Sequence, residues 1–363
     1  MHKPIYFSGL NGIRAIASLA VLFAHTTSNL DQFGLNPFII GMYPDGNPKS
    51  TLLAGFGVTM FFCLSGFLIT YLLLQEKENG SINIKHFYMR RILRIWPLYY
   101  LYLIVSIITL LVFDLPFEHT NILYYIFLSA NIPFTLGFSI KFLVHYWSLG
   151  VEEQFYSFWP WVVHKSKNIL KSTIAICSLL ILAKIIFRII DIQTNNGNMS
   201  LLYQILNITK FDCMLIGAIA AILLFKKNEL FLRLANNIIT QLLCWIAIFL
   251  LAINEFHIAS FIDSELISVV TACIIIGQIK QDSRIINLDI PILNFIGKIS
   301  YGIYIINPLA IFYLSKIIVF TGIDGLFPYV VVYGSCYALT ILLAYLSYAF
   351  FEKRFMTIKA RYS

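Results

Sequence analysis

The sequence predicts an all-α integral membrane protein, a bundle of about ten transmembrane helices with N-terminus and C-terminus both cytoplasmic. Three observations carry this. Of 363 residues, 59% are hydrophobic and only 12% charged, and the mean hydropathy of +0.80 lies far above what one soluble core needs. Apolar runs of about 20 residues, each long enough to cross a hydrocarbon layer of roughly 30 Å, recur from the first residues to the last. Lys and Arg collect on alternate inter-span segments, the pattern that cytoplasmic loops produce.

The spans are expected, in order, at 10–28, 52–74, 97–113, 145–163, 172–190, 202–225, 238–253, 264–279, 295–315 and 328–351. The first is read as a span and not as a removable signal peptide, because it carries an embedded Arg and no small-residue cleavage site. Segment 121–140 is apolar enough to be an eleventh, but Asn131, Pro133, Gly137 and Ser139 break it into short pieces. Charge decides its place. With ten spans and the N-terminus inside, the inner segments hold nineteen Lys and Arg and the outer ones only Lys49, Lys141 and Lys316, while Asp31, Asp45, Asp114, Glu118, Glu255, Asp263 and Asp324 fall outside. An extra crossing would turn the later basic clusters outward, so 121–140 is expected to be re-entrant or to lie on the outer surface. The chain reads as a single membrane domain, 1–363, with no appended soluble domain, in the cytoplasmic (inner) cell membrane.

Several function classes are excluded. The net charge of +8 is accounted for by topology, which leaves nothing for a nucleic-acid partner to explain. Six cysteines sit singly in apolar runs, against Cys-based metal sites and without a case for disulfides. HExxH, Gly-rich phosphate-loop and GxSxG motifs are all missing. No metal is expected.

The informative residues are ionisable groups at membrane depth, where each costs at least about 2.5 kcal/mol and must face the protein interior. Arg14 and His25 stand eleven positions apart in the first span, which returns to the same helix face about 20° past three turns and about 16 Å along the axis. In the fourth span, WSLGVEEQFY places Glu152 and Glu153 at a depth matching His25, where a carboxylate would orient the imidazole. Asp212, after Lys210, joins the polar interior of the sixth span. Lone buried polar residues often only hold helices together, but this set points to a reaction centre or a transport pathway. The inner segment SINIKHFYMRRILRIWP reads as a short amphipathic helix whose Arg90, Arg91 and Arg94 crowd one side. Those guanidinium groups suit either the phosphates of a nucleotide-bearing donor or the headgroups of membrane lipids.

Five segments, in order, resemble the membrane-bound acyltransferase 3 family, which includes bacterial O-acetyltransferases of surface polysaccharides. They are GLNGIRAIASLAVLFAHT, GFGVTMFFCLSGFLIT, RRILRIWPLYY, WSLGVEEQFY and IGKISYGIYIINPL, with SYAFFEKRF similar to the family's ending. Two positions depart: Thr59 stands where an acidic residue is common, and Asn307 where many relatives have His. The resemblance implies an acyl-CoA donor, usually acetyl-CoA, and an acceptor hydroxyl on a carbohydrate or lipid-linked sugar at or beyond the outer face. It implies donor binding by Arg14, Ser65, Arg90, Arg91 and Arg94. Catalysis would fall to His25 as base or transient acyl carrier, with Glu152 or Glu153 orienting it and Arg14 stabilising charge. Acceptor handling is expected from the membrane domain or a partner protein. A transporter or flippase using the same buried charges is the alternative, although no repeat relates the first five spans to the last five.

Overall fold

A computed structural model describes residues 6–43, 46, 48–194, 199–282, 284–320, 325–359 and 362. Lys3, Asp45, Asp324 and Arg361, used in the charge count, lie outside them. Among the described residues the protein is all-helical, with no strand. The first half holds α1 (Leu10–Ser28), α2 (Thr51–Glu78), α3 (Ile84–Val112), α4 (Ile122–Ile126), α5 (Asn131–Thr135), α6 (Tyr146–Lys165) and α7 (Ile169–Thr194). The second half holds α8 (Leu201–Thr209), α9 (Phe211–Phe225), α10 (Glu229–Ala235), α11 (Ile238–Ala252), α12 (Asp263–Lys280), α13 (Pro291–Ser315), α14 (Phe327–Leu346), a π-helical turn at Ser347–Glu352 and α15 (Lys353–Lys359).

Among the described residues, six helices are long and apolar enough to cross a membrane: α2, α3, α7, α8–α9, α13 and α14–α15. The pair α10–α11, bent by 53°, makes a seventh if it counts as one span. Apolar side chains on the outside agree with lipid as the solvent. Leu179, Leu182, Ile186 and Ile189 of α7, and Leu243, Ile246 and Phe249 of α11, are all exposed. The spans of α2 and α13 are 67% buried against 17% for α7, so α2 and α13 form the centre and α7 the rim. The protein is a multi-pass membrane protein. Helices α1, α6 and α12, of 19, 20 and 18 residues, fall outside the six, and each carries ionisable residues that dilute its apolarity.

Close helix contacts need small residues here, since lipid supplies no hydrophobic drive between helices. A methyl group added to Gly66 of α2 would come within 1.9 Å of the Met214 carbonyl oxygen of α9, and one on Gly217 within 2.0 Å of that of Cys63. Gly297 of α13 stands equally close to the Asn11 carbonyl of α1. These approaches clamp α1 and α2 between α13 and α9.

Segment 121–140 is broken as its composition predicts: α4 and α5 are five residues each, too short to cross. They buttress α6 through a reciprocal amide pair, Asn131 with Gln154, at 3.2 and 2.8 Å. The expected span 202–225 is found as one apolar span, Leu201–Phe225, with a break at Lys210, whose φ of +43° separates α8 from α9. The Lys210 ammonium donates to Thr59 at 3.0 Å and Ser264 at 2.7 Å, and this anchorage selects the left-handed backbone.

Candidate active site

Two cavities lie at opposite ends of α1 and α2. The first, of about 280 Å³, is lined by Arg14, Ser65, Arg91, Arg94, Glu152 and Tyr156. The second, of about 420 Å³, is lined by His25, Asn29, Gln32, Lys141, His145 and Trp147. They adjoin: Val58 of α2 and Tyr304 of α13 belong to the wall of both.

The first cavity is electropositive. Among the described residues no carboxylate forms an ion pair with Arg14, Arg91 or Arg94 within 4.0 Å. Arg14 donates to the Asn11 side chain at 3.1 Å, and Arg91 lies over the rings of Phe87 and Tyr156. Glu152 is the cavity's own carboxylate, accepting from Ser65 at 3.0 Å and from Tyr156 at 2.8 Å. Next to Tyr6 of the lining, Asp289 accepts hydrogen bonds from Asn294, Tyr6 and Ser8, which hold its carboxyl below the usual range.

Three sequence expectations change. Arg90 does not line the cavity; it is ion-paired with Glu76 and donates to the Tyr362 carbonyl at 2.8 Å, because the end of α2 captures it. Glu152 and Glu153 separate, since neighbours on a helix point about 100° apart. Glu152 enters the cavity, whereas Glu153 is not in its lining and leaves one carboxylate oxygen unpaired. Neither glutamate orients His25: Glu152 is taken up by Ser65 and Tyr156 in the other cavity, and the imidazole Nδ1 meets Asn307 Oδ1 at 2.6 Å.

That contact fixes a tautomer. Pro308 has no N–H, so the Tyr304 carbonyl one helical turn back lacks its usual donor. Asn307 Nδ2 donates to Tyr304 O at 2.7 Å and to Ile303 O at 2.9 Å, which commits its Oδ1 to accepting. The His25 nitrogen facing Oδ1 must therefore carry the proton, and in the neutral ring Nε2 keeps a free lone pair. A neutral amide does what the expected carboxylate was to do.

Asp212 pairs within the interior with Lys184 of α7, at 2.8 Å, and Lys184 also pairs with Glu265 of α12. This buried triad ties three helices together outside both cavities. The sequence reading passed over Lys184 and Glu265. An ionisable residue inside an expected apolar span was the signal for each, as it was for His145 at the start of the fourth span.

Comparison with known proteins gives the family of the chain. A family model described as Acyltransferase domain, of the acyltransferase 3 type, matches residues 7–349. The chain belongs to this family. Among the relatives, a Staphylococcus aureus (strain COL) protein named for O-acetyltransferase activity, SACOL0978, is 31% identical over 97% of this chain and 58% of its own length. The O-acetyltransferase OatA of Staphylococcus aureus (strain NCTC 8325 / PS 47) is 29% identical over 97% of the chain and 57% of its own length. YrhL of Bacillus subtilis (strain 168), named for peptidoglycan O-acetyltransferase activity, is 28% identical over 97% of the chain and 55% of its own length. This acyltransferase 3 chain thus spans a little over half the length of these relatives. No solved structure matches it.

Proposed function

We propose that the chain is a membrane-embedded O-acyltransferase that moves an acyl group, in the first place acetyl, from acyl-CoA to a hydroxyl of a carbohydrate-type acceptor. The observation that carries this reading is the meeting of two chemically different cavities at Val58 and Tyr304. An unpaired cluster of Arg14, Arg91 and Arg94 suits the phosphates of a nucleotide donor. Beyond the shared wall, the neutral imidazole of His25 presents Nε2 to a largely apolar cavity that also carries Ser28, Asn29 and Gln32, groups able to hydrogen-bond a sugar. Ser65 and Glu152 line the first cavity, where the donor's arm would lie.

In the proposed reaction His25 Nε2 removes the acceptor hydroxyl proton, the oxygen attacks the thioester carbon, and the departing thiolate receives the proton back. Arg14 serves the donor. Glu152 organises Ser65 and Tyr156, and no role falls to Glu153 or Arg90. YrhL, named for peptidoglycan O-acetylation, supports a cell-envelope polymer as acceptor, reached directly or through a partner protein. Family membership weighs for transfer over permeation.

The reading includes the topology. Helices α1, α6 and α12 cross as well, held in the interior by their polar faces, which with the seven apolar spans gives ten and leaves both termini cytoplasmic. The Arg cavity then opens to the cytoplasm of the inner membrane and the His25 cavity to the outer side. Membrane vesicles test this. Label from radiolabelled acetyl-CoA should reach envelope acceptors in inverted vesicles and fail to do so in right-side-out vesicles; equal transfer in both, or in neither, contradicts the reading.

A further inference from the structure

One buried imidazole has no part in the reaction just described. His145 precedes α6, is 4% exposed and lines the same cavity as His25. Neither of its ring nitrogens has a hydrogen-bond partner. The backbone at Ile305 approaches the ring without reaching hydrogen-bond geometry. Buried polar side chains are nearly always paired, and an exception on a cavity wall points to a group that arrives with the substrate.

The ring is fixed in place without using its nitrogens. Tyr146, Tyr304 and Tyr102 meet it edge-on, with ring centres 5.1, 5.4 and 5.7 Å away. Its own carbonyl accepts from the Tyr304 hydroxyl at 2.9 Å and from Ser148 at 3.2 Å. The rings of His25 and His145 stand 6.3 Å apart at 70°, with no hydrogen bond between them. Both rings line the one cavity, so a carbonyl held in it lies within reach of each.

We propose that His145 is a second catalytic residue, a neutral imidazole whose N–H stabilises the oxyanion of the tetrahedral intermediate. The proposal rests on the acyl-transfer reading above. As the acceptor oxygen bonds to the thioester carbon and His25 takes the hydroxyl proton, the carbonyl oxygen becomes negative and accepts the His145 N–H. When the intermediate collapses the C–S bond breaks, the carbonyl re-forms, and the His25 proton passes to the thiolate. His145 neither gains nor loses a proton over the cycle. A neutral imidazole always carries one N–H, so burial keeps it in the form that donates.

The test uses the full chain in vesicles, with labelled acetyl-CoA as donor. His145→Phe keeps a ring of similar shape and removes the donor; kcat should fall by about 10²–10³-fold with KM for acetyl-CoA within about twofold. His145→Gln restores an N–H and should recover at least about tenfold of that loss. The pH profile of the residual activity, set by His25, should stay where it is in the parent. If His145→Phe does not accumulate, His145→Ala takes its place, and added imidazole should raise its rate. Full activity in a folded Phe variant, or equal losses in Phe and Gln, would overturn the proposal, as would an Ala variant indifferent to imidazole. Transfer that needs His25 but not His145 removes this inference alone, whereas no transfer by the parent protein removes the acyl-transfer reading with it.

Discussion

Replacing Asn307 with Leu probes the tautomer of His25 without touching the imidazole. The substitution removes the one acceptor that meets Nδ1 and the donor that satisfies the carbonyl freed by Pro308. An imidazole N–H left unpaired in a buried site costs about 1–3 kcal/mol, and at about 1.36 kcal/mol per decade this corresponds to roughly a 5- to 150-fold loss in kcat. If the proton migrates to Nε2 the base is disabled, and losses of the kind seen for a wrong tautomer reach about 10⁴-fold. The assay is acetyl transfer in vesicles with the amount of folded protein matched, so that kcat and the donor KM are read separately. KM should change little, because the Arg cavity is untouched. Asn307→Asp keeps an acceptor toward Nδ1 and should retain more activity than Asn307→Leu. A folded Leu variant with the parent's kcat would refute the tautomer reasoning.

Arg91→Gln and Arg94→Gln should each raise the KM for acetyl-CoA several-fold, while Arg90→Gln, outside the cavity, should not; a shift with Arg90 equal to the others would return the cluster to membrane charge. Lys184→Met leaves Asp212 and Glu265 facing each other unpaired and should destabilise the protein by about 3–5 kcal/mol, seen as early unfolding in detergent; an unchanged transition would show that the triad is dispensable. Val58→Ala widens the junction of the cavities and should raise the use of propionyl-CoA relative to acetyl-CoA by about tenfold, the scale of one methylene in an apolar pocket. An unchanged ratio would place acyl selection elsewhere.

The helices were legible in the sequence because lipid demands long apolar runs, and the breaks of segment 121–140 because Asn, Pro and Gly interrupt one. Arg14, His25 and Glu152 were legible as charges in forbidden places, and Arg91 and Arg94 as guanidinium groups crowded on one side of an amphipathic helix; all five line a cavity. Pairings were not legible. His25 and Asn307 are 282 positions apart, and helix periodicity cannot say which side chain of α13 meets α1. Depth along a span likewise suggested a glutamate beside His25, but depth carries no rotation, and the rotation of α6 aims Glu152 at Ser65. Arg90 and Arg91 differ only in what lies opposite: the end of α2 offers Glu76 to one and leaves the other to the cavity. The turn at Lys210 depends on Thr59 and Ser264 from two other helices, so no local signal announces it.

The most direct test of the account replaces His25 with Ala in the inverted-vesicle assay, with protein levels matched and acetyl-CoA saturating. Label from acetyl-CoA should reach the acceptor in the parent and be reduced by at least about 10²-fold in His25→Ala, the usual contribution of a general base. A folded His25→Ala protein that transfers acetyl groups at the parent's rate would contradict the assignment of the base and of the cavity built around it.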